Sequence, residues 1–227
     1  MTEDSEETEH TPEINADLLL KAYMCGVFPM AETRESKSLH WVDPKKRGII
    51  PLDRFHLPSR LKKRLLQRPF KVTFDTAFTK VMRACAAPRA QQDDTWINDQ
   101  ILELYEELFE RGFAHSIECW NDNGDLVGGL YGVSIAGGFF GESMFHTETD
   151  ASKIALCHLV ARLKYGGFTL LDTQFVTDHL MQFGAVEIQR KDYHNMLDIA
   201  LDRKSDFYSL PSPCTGELVV QAITQTS

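Results

Sequence analysis

Apolar residues recur at helical spacing over residues 99–111. Ile101, Leu104, Tyr105 and Leu108 fall on one face, and Gly112 closes the run. The same spacing predicts helices over 76–86, with Phe78, Val81, Met82 and Cys85 inward, and over 190–201, with Tyr193, Met196, Leu197 and Ala200 together. Two shorter helices are expected. One covers 17–25, with Asp17 as candidate N-cap and Gly26 as the stop. The other covers 58–67, with Pro58 in the first turn, Arg68-Pro69 as the stop, and Leu57, Leu61 and Leu65 along one stripe. A longer helix is expected over 151–165, capped by Thr149/Asp150 and closed by Gly166-Gly167.

Alternation of period two marks the strands. Phe70, Val72 and Phe74 alternate with polar neighbours. Residues 113–120, 125–134 and 139–145 read as an antiparallel meander, with Asn121-Asp122-Asn123-Gly124 as its first turn. Phe168 to Asp172 is a short apolar run that suits a buried strand, and the tail from Leu210 carries no clear period. Helices, a meander, a helix and then a central strand make an α+β pattern on a mixed sheet. That order is compatible with the acyltransferase fold shared by acetyl-CoA enzymes.

Composition narrows the picture. A chain of 227 residues, 43% apolar, is enough for one sizeable domain with a small appendage. The net charge of −9 is unevenly spread. Residues 2–13 hold six acids and no Lys or Arg, so a disordered acidic tail is expected over 1–13, without the basic, apolar start of a signal peptide. Residues 45–71 carry ten Lys or Arg against one Asp. Such a concentration suits a polyanion partner, or else an ordinary solvated face. Five cysteines without a CxxC pair fit reduced thiols in a cytosol rather than a disulfide framework or a zinc ribbon. The longest uncharged run, Leu126 to Gly141, is too short and Gly-broken for a membrane span.

Candidate chemistry begins with Phe139-Phe140-Gly141-Glu142-Ser143-Met144-Phe145. A carboxylate inside an aromatic strand is costly unless it is paired. It suggests an apolar pocket whose carboxylate meets a cation; the alternative is a Glu at a wet sheet edge. Regular alternation puts Glu142 and Met144 on one face and Ser143 on the other. Asp172 and Gln174 end a buried strand, two residues apart on one face, where ligand sites favour strand ends. Gln174 can donate its amide N–H to Asp172 and accept from an amine through its carbonyl oxygen. The alternative for Asp172 is a helix cap. Trp41, Trp96 and Tyr105 are core rings or, in a cleft, stacking platforms. The eight His lack metal-ligand spacing, so no metal is expected. No phosphate-binding GxxxxGK[ST], no GxGxxG and no CoA pyrophosphate loop is present.

With these residues the chain resembles the bacterial leucyl/phenylalanyl-tRNA–protein transferases. The resemblance runs in order from about residue 17 to about 200: Gly26-Val27-Phe28-Pro29, Trp41 through Pro44, Thr95-Trp96-Ile97, 114–118, Leu126 through Val133, Phe139 through Phe145, Ala151-Ser152-Lys153, 171–174 and Phe183-Gly184-Ala185. It implies a small N-terminal lobe over 14–56 and, over 57–227, an acyl-CoA N-acyltransferase-like domain (GNAT-like or Fem-like), a mixed sheet with flanking helices. It implies transfer of Leu or Phe, with Met a further candidate, from aminoacyl-tRNA to an N-terminal Arg or Lys, which marks the acceptor protein for N-end-rule degradation. By motif, Asp172, Gln174 and Glu142 are the catalytic set, and Trp41, Trp96, Tyr105, Phe139, Ser143 and Met144 contact substrate. Arg60, Lys62, Lys63 and Arg64 hold tRNA. No cofactor is needed, because the aminoacyl ester is already activated. The chain departs from the family at Met30, where many members have Trp, at His40 before Trp41, and at Thr173, where members have Cys. Leu159 and Leu163 stand where phenylalanines can line the amino-acid pocket. Two rivals remain open: an acyl-CoA-dependent N-acyltransferase on the same fold, and a non-catalytic tRNA-binding module.

Overall fold

The computed structural model describes residues 14–36, 38–88 and 95–225. The expected acidic tail over 1–13 lies outside the described residues.

The chain opens with α1 (Ala16–Met24), whose N-cap is Asn15 rather than the expected Asp17. The Asn15 side chain accepts from the Leu18 N–H at 2.9 Å, which leaves Asp17 to sit in the first turn, favourable to the helix dipole. A small hairpin follows, β1 (Phe28–Met30) paired with β2 (His40–Val42). Next comes β3 (Lys46–Ile49), a strand of the large sheet that lies within the stretch assigned to the first lobe. It escapes detection by pattern because its four residues sit in the basic run. Then come α2 (Ser59–Leu66), β4 (Lys71–Phe74), α3 (Phe78–Ala86) and α4 (Asp99–Glu110). In each of these helices the expected apolar face is the buried one, as with Leu61 and Leu65 of α2.

The meander is β5 (Ala114–Trp120), β6 (Leu126–Ile135) and β7 (Gly138–His146). Asn121 makes its first turn: its side-chain oxygen accepts from the N–H groups of Asn123 and Asp125 at 3.1 and 2.9 Å. α5 (Ala151–Tyr165) is buried nearly all round. Its N-cap residue, Asp150, is left-handed and makes no side-chain cap, contrary to expectation. α5 lies close on the sheet at Gly128, where a Cβ would stand 2.5 Å from that of Ala151. After α5 come β8 (Leu170–Gln174), α6 (Asp178–Met181), β9 (Val186–Gln189), α7 (Arg190–Leu201) and α8 (Gly216–Thr224). The sequence leaves α8 unassigned because Leu218-Val219-Val220 carries no helical period. It forms because Thr215 caps it and because Val219, Ala222 and Ile223 cover α5.

The seven-stranded sheet runs β4-β5-β6-β7-β8-β3-β9. Its pairs are antiparallel except β7 and β8, which are parallel. The expectation of a mixed α+β sheet with flanking helices is met. One core packs α2, α5 and α8 against one face, and a second packs α1, α3, α4 and α7 against the other. Among the described residues no helix is long and apolar enough to cross a membrane.

Two features place the site. β7 and β8 pair only at Gly138–Leu170, Phe139–Leu171 and Phe140–Asp172, and then part. On its other edge β8 is held by β3, through Gly48–Gln174 and Ile49–Asp172. Gly48 must be glycine: a Cβ there would stand 2.6 Å from the Phe175 carbonyl carbon, backbone that cannot yield cheaply. Gly48→Ala is therefore expected to lower stability by about 1–3 kcal/mol. Thermal unfolding of the variant measures it, and an unchanged midpoint would contradict the close approach.

Candidate active site

Where β7 and β8 part, a pocket of about 410 Å³ opens. β7 contributes Gly141 through Met144, and β8 with its following loop contributes Thr173, Gln174 and Phe175. Leu130, Leu156, Leu159, Leu171 and Leu180 make much of the lining apolar, with Phe28, Met30 and Trp96 from outside the sheet. Glu142 is the one carboxylate among the lining residues.

Glu142 reaches the pocket through a β-bulge. Tyr131 pairs with Ser143 and Gly132 with Gly141, so Glu142 is the extra residue of β7. The bulge cancels the regular alternation: Glu142, Ser143 and Met144 all line the pocket. Within the chain the Glu142 carboxylate meets three neutral donors. Its Oε1 accepts from the Tyr23 hydroxyl at 2.7 Å and from the Gln174 amide at 3.1 Å, and its Oε2 accepts from the Tyr105 hydroxyl at 3.2 Å. The two phenols also hydrogen-bond each other. Burial pushes the carboxyl up to about 7, although both phenols favour the ionised form. Burial beside Glu142 holds both phenols well above their ordinary range, so they remain donors.

Asp172 stands behind the pocket wall, 0% exposed, and does not line it. The Arg47 guanidinium, itself 1% exposed, grips it in a fork. Nη2 lies 2.7 Å from Oδ2, and Nε lies 3.0 and 3.1 Å from Oδ1 and Oδ2. The Tyr193 hydroxyl adds a bond to Oδ2 at 2.7 Å. Asp172 holds Gln174 through the backbone: the Gln174 N–H donates to Oδ1 at 2.8 Å. The expected bond from the Gln174 side chain to Asp172 is absent, because that amide turns to Glu142. Gln174 has a left-handed backbone, φ 57°, uncommon outside glycine.

Residues 49–198 match the family described as leucyl/phenylalanyl-tRNA protein transferase. The chain belongs to the leucyl/phenylalanyl-tRNA protein transferase family. Residues 13–45 match that family's N-terminal domain. Relatives named leucyl/phenylalanyl-tRNA–protein transferase include one from Nitrobacter winogradskyi, 54% identical over 95% of this chain and 96% of its own. Another, from Paramagnetospirillum magneticum, is 58% identical over 83% of this chain and 90% of its own. A third, from Caulobacter vibrioides, is 54% identical over 93% and 97%.

The family-derived expectations divide on this geometry. Glu142, Ser143, Met144, Trp96 and Gln174 line the pocket, whereas Tyr105 is buried behind it and reaches only Glu142. Phe139 does not: it is 0% exposed in the core beside Phe207. Trp41 lies outside the lining, 39% exposed on β2 opposite Pro29. Leu159 lines the pocket, whereas Leu163 is buried in the core. On α2, Arg60, Lys62 and Lys63 are exposed, and Arg64 is half-buried with its guanidinium 5.9 Å from the Phe70 ring centre. The sequence reading missed Arg47, Tyr23 and Tyr193. Arg47 is one basic residue among ten in its stretch, and Tyr23 and Tyr193 read as ordinary apolar helix positions.

The raised Glu142 pKa gives a stability test. A carboxyl that ionises near 4.5 when unfolded and near 7 when folded binds its proton more tightly in the fold. Its contribution is therefore lost as pH rises from about 4.5 to about 7. Glu142→Gln lacks this loss, so the melting temperature of the parent minus that of the variant should fall between about pH 5 and pH 8. A constant difference over that range would contradict the assignment.

Proposed function

We propose that this protein transfers leucine or phenylalanine, with methionine a third candidate, from aminoacyl-tRNA to the N-terminal Arg or Lys of acceptor proteins in the cytosol, marking them for degradation. The observation that carries the reading is the pocket at the β7–β8 opening, with Glu142 and Gln174 side by side in its lining, in a chain of this family. Leu156, Leu159 and Met144 offer an apolar lining for the donor side chain, and Trp96 offers a ring for stacking. Trp41, exposed on β2, offers a second ring outside the pocket. This reading keeps a small lobe over 14–56 and a catalytic domain over 57–227 as its proposed division, with β3 of the lobe a strand of the large sheet.

The chemistry asks for positioning and proton removal. The ester is already activated, so neither ATP nor CoA enters. The acceptor nitrogen bonds to the ester carbonyl carbon, and the bond from that carbon to the terminal ribose oxygen breaks. Of the acceptor ammonium's three protons, one stays on the new amide. One passes to Glu142 and then to water, and one ends on the ribose hydroxyl. A carboxylate near 7 is matched to an α-amine that titrates at about 8. Gln174, its amide N–H committed to Glu142, keeps its carbonyl oxygen to align an amine N–H. An amide is a feeble base, so Gln174 aligns and Glu142 accepts. Asp172 acts through Gln174 rather than on substrate.

Incubation with labelled Leu-tRNA and a peptide beginning with Arg should give labelled Leu-Arg peptide without ATP, CoA or added metal. Gln174→Ala should lower turnover about 10- to 1,000-fold with tRNA affinity within about twofold. No transfer by the parent protein, or full turnover by the variant, would overturn the reading.

The exposed face of α2 supports a polyanion site. Replacing Lys62, Lys63 and Arg64 with Ala should weaken binding of Leu-tRNA and Phe-tRNA alike. It should also flatten the salt dependence by about one log–log unit for each phosphate left unneutralised. A titration across salt decides it, and an unchanged slope would return α2 to a solvated face.

A further inference from the structure

We infer that Arg47, buried behind the pocket, is a positioning residue for the transfer reaction; this rests on the reading of Glu142 and Gln174 given above. Three contacts support it. Through the fork to Asp172, Arg47 fixes the acceptor of the Gln174 backbone N–H. That bond holds a non-glycine residue in a left-handed conformation, which a neighbouring structure must enforce. Arg47 Nη1 donates to the Gly26 carbonyl at 2.8 Å, just past the end of α1, and α1 carries Tyr23 to Glu142. Finally, the guanidinium carbon sits 4.5 Å from the ring centre of Phe28 and 4.6 Å from that of Tyr193. Phe28 lines the pocket and packs edge-on against Phe175, which lines it too.

One guanidinium thus ties β8, α1 and the pocket wall together. A buried ion pair by itself is weak grounds for stability, since apolar residues of similar volume often do as well. What such residues cannot do is satisfy Asp172 with two parallel N–H groups while a third reaches the Gly26 carbonyl. Lysine keeps the charge but not the fork, so Arg47→Lys separates the two. Tyr193→Phe removes one donor to Asp172 and leaves the ion pair.

The test is a double-mutant cycle with Gln174. Arg47→Lys should lower kcat about 10- to 100-fold, as a small misplacement of an aligning group does. The KM for tRNA should stay within about twofold. Tyr193→Phe should lower kcat less, about three- to tenfold, and serves if the lysine variant does not fold. In a Gln174→Ala background both losses should shrink at least about threefold, because alignment through Asp172 then has no side chain left to place. A purely structural role predicts losses that persist undiminished in that background, or a normal kcat with only a lower melting temperature, and either result overturns the role of Arg47. Full activity in Gln174→Ala alone would instead overturn the underlying reading of the site.

Discussion

β7 and β8 run parallel for three paired residues and then part, and the pocket lies where they part. Two parted strands leave backbone donors and acceptors that a closed sheet would pair, and each needs another partner. On the β8 side, β3 holds the strand as far as Gln174, and Asp172 takes the Gln174 N–H. On the β7 side, the bulge opposite Tyr131 and Gly132 turns Glu142 into the gap. α5, close against the sheet at Gly128, supplies part of the apolar lining.

The two carboxylates on either side of this opening live in different surroundings. Asp172 is gripped by a guanidinium and a phenol and has no access to the pocket. Glu142 has only neutral donors in contact, and burial raises it to about 7. Two acids with one environment that neutralises charge and one that disfavours it can divide labour, one holding geometry and the other handling a proton. Gln174 joins them: its backbone N–H belongs to Asp172 and its side-chain amide to Glu142.

How much of this could be read in the sequence depended on how local the cause was. Helices with a single apolar face, such as 99–110 and 190–201, were legible because periodicity and burial coincide. β3 and β9 were not, being four residues each, and α8 was not, because its apolar run lacks a period. Glu142 stood out as a charge among aromatic residues, and the Asp172–Gln174 pair stood out at the end of an apolar run. Their connection did not, since a bulge and a left-handed backbone are products of tertiary packing. Alternation counts for less at a bulge, which is why Glu142, Ser143 and Met144 share the pocket. Phe139 belongs to the motif by sequence but lies where β7 and β8 are still paired, and so falls in the core. Arg47 carried no mark at all: among ten basic residues, the one that is buried looks like the rest.

The central claim is that the donor ester and the acceptor amine meet at the β7–β8 opening. It is tested most directly by a crystal structure of the protein with leucine joined through a stable amide to 3′-amino-adenosine. The account predicts the leucine side chain among Met144, Leu156 and Leu159, with its carbonyl carbon about 3–4 Å from the space between Glu142 and Gln174. A leucyl group bound elsewhere on the surface, with the opening between β7 and β8 unoccupied, would contradict it.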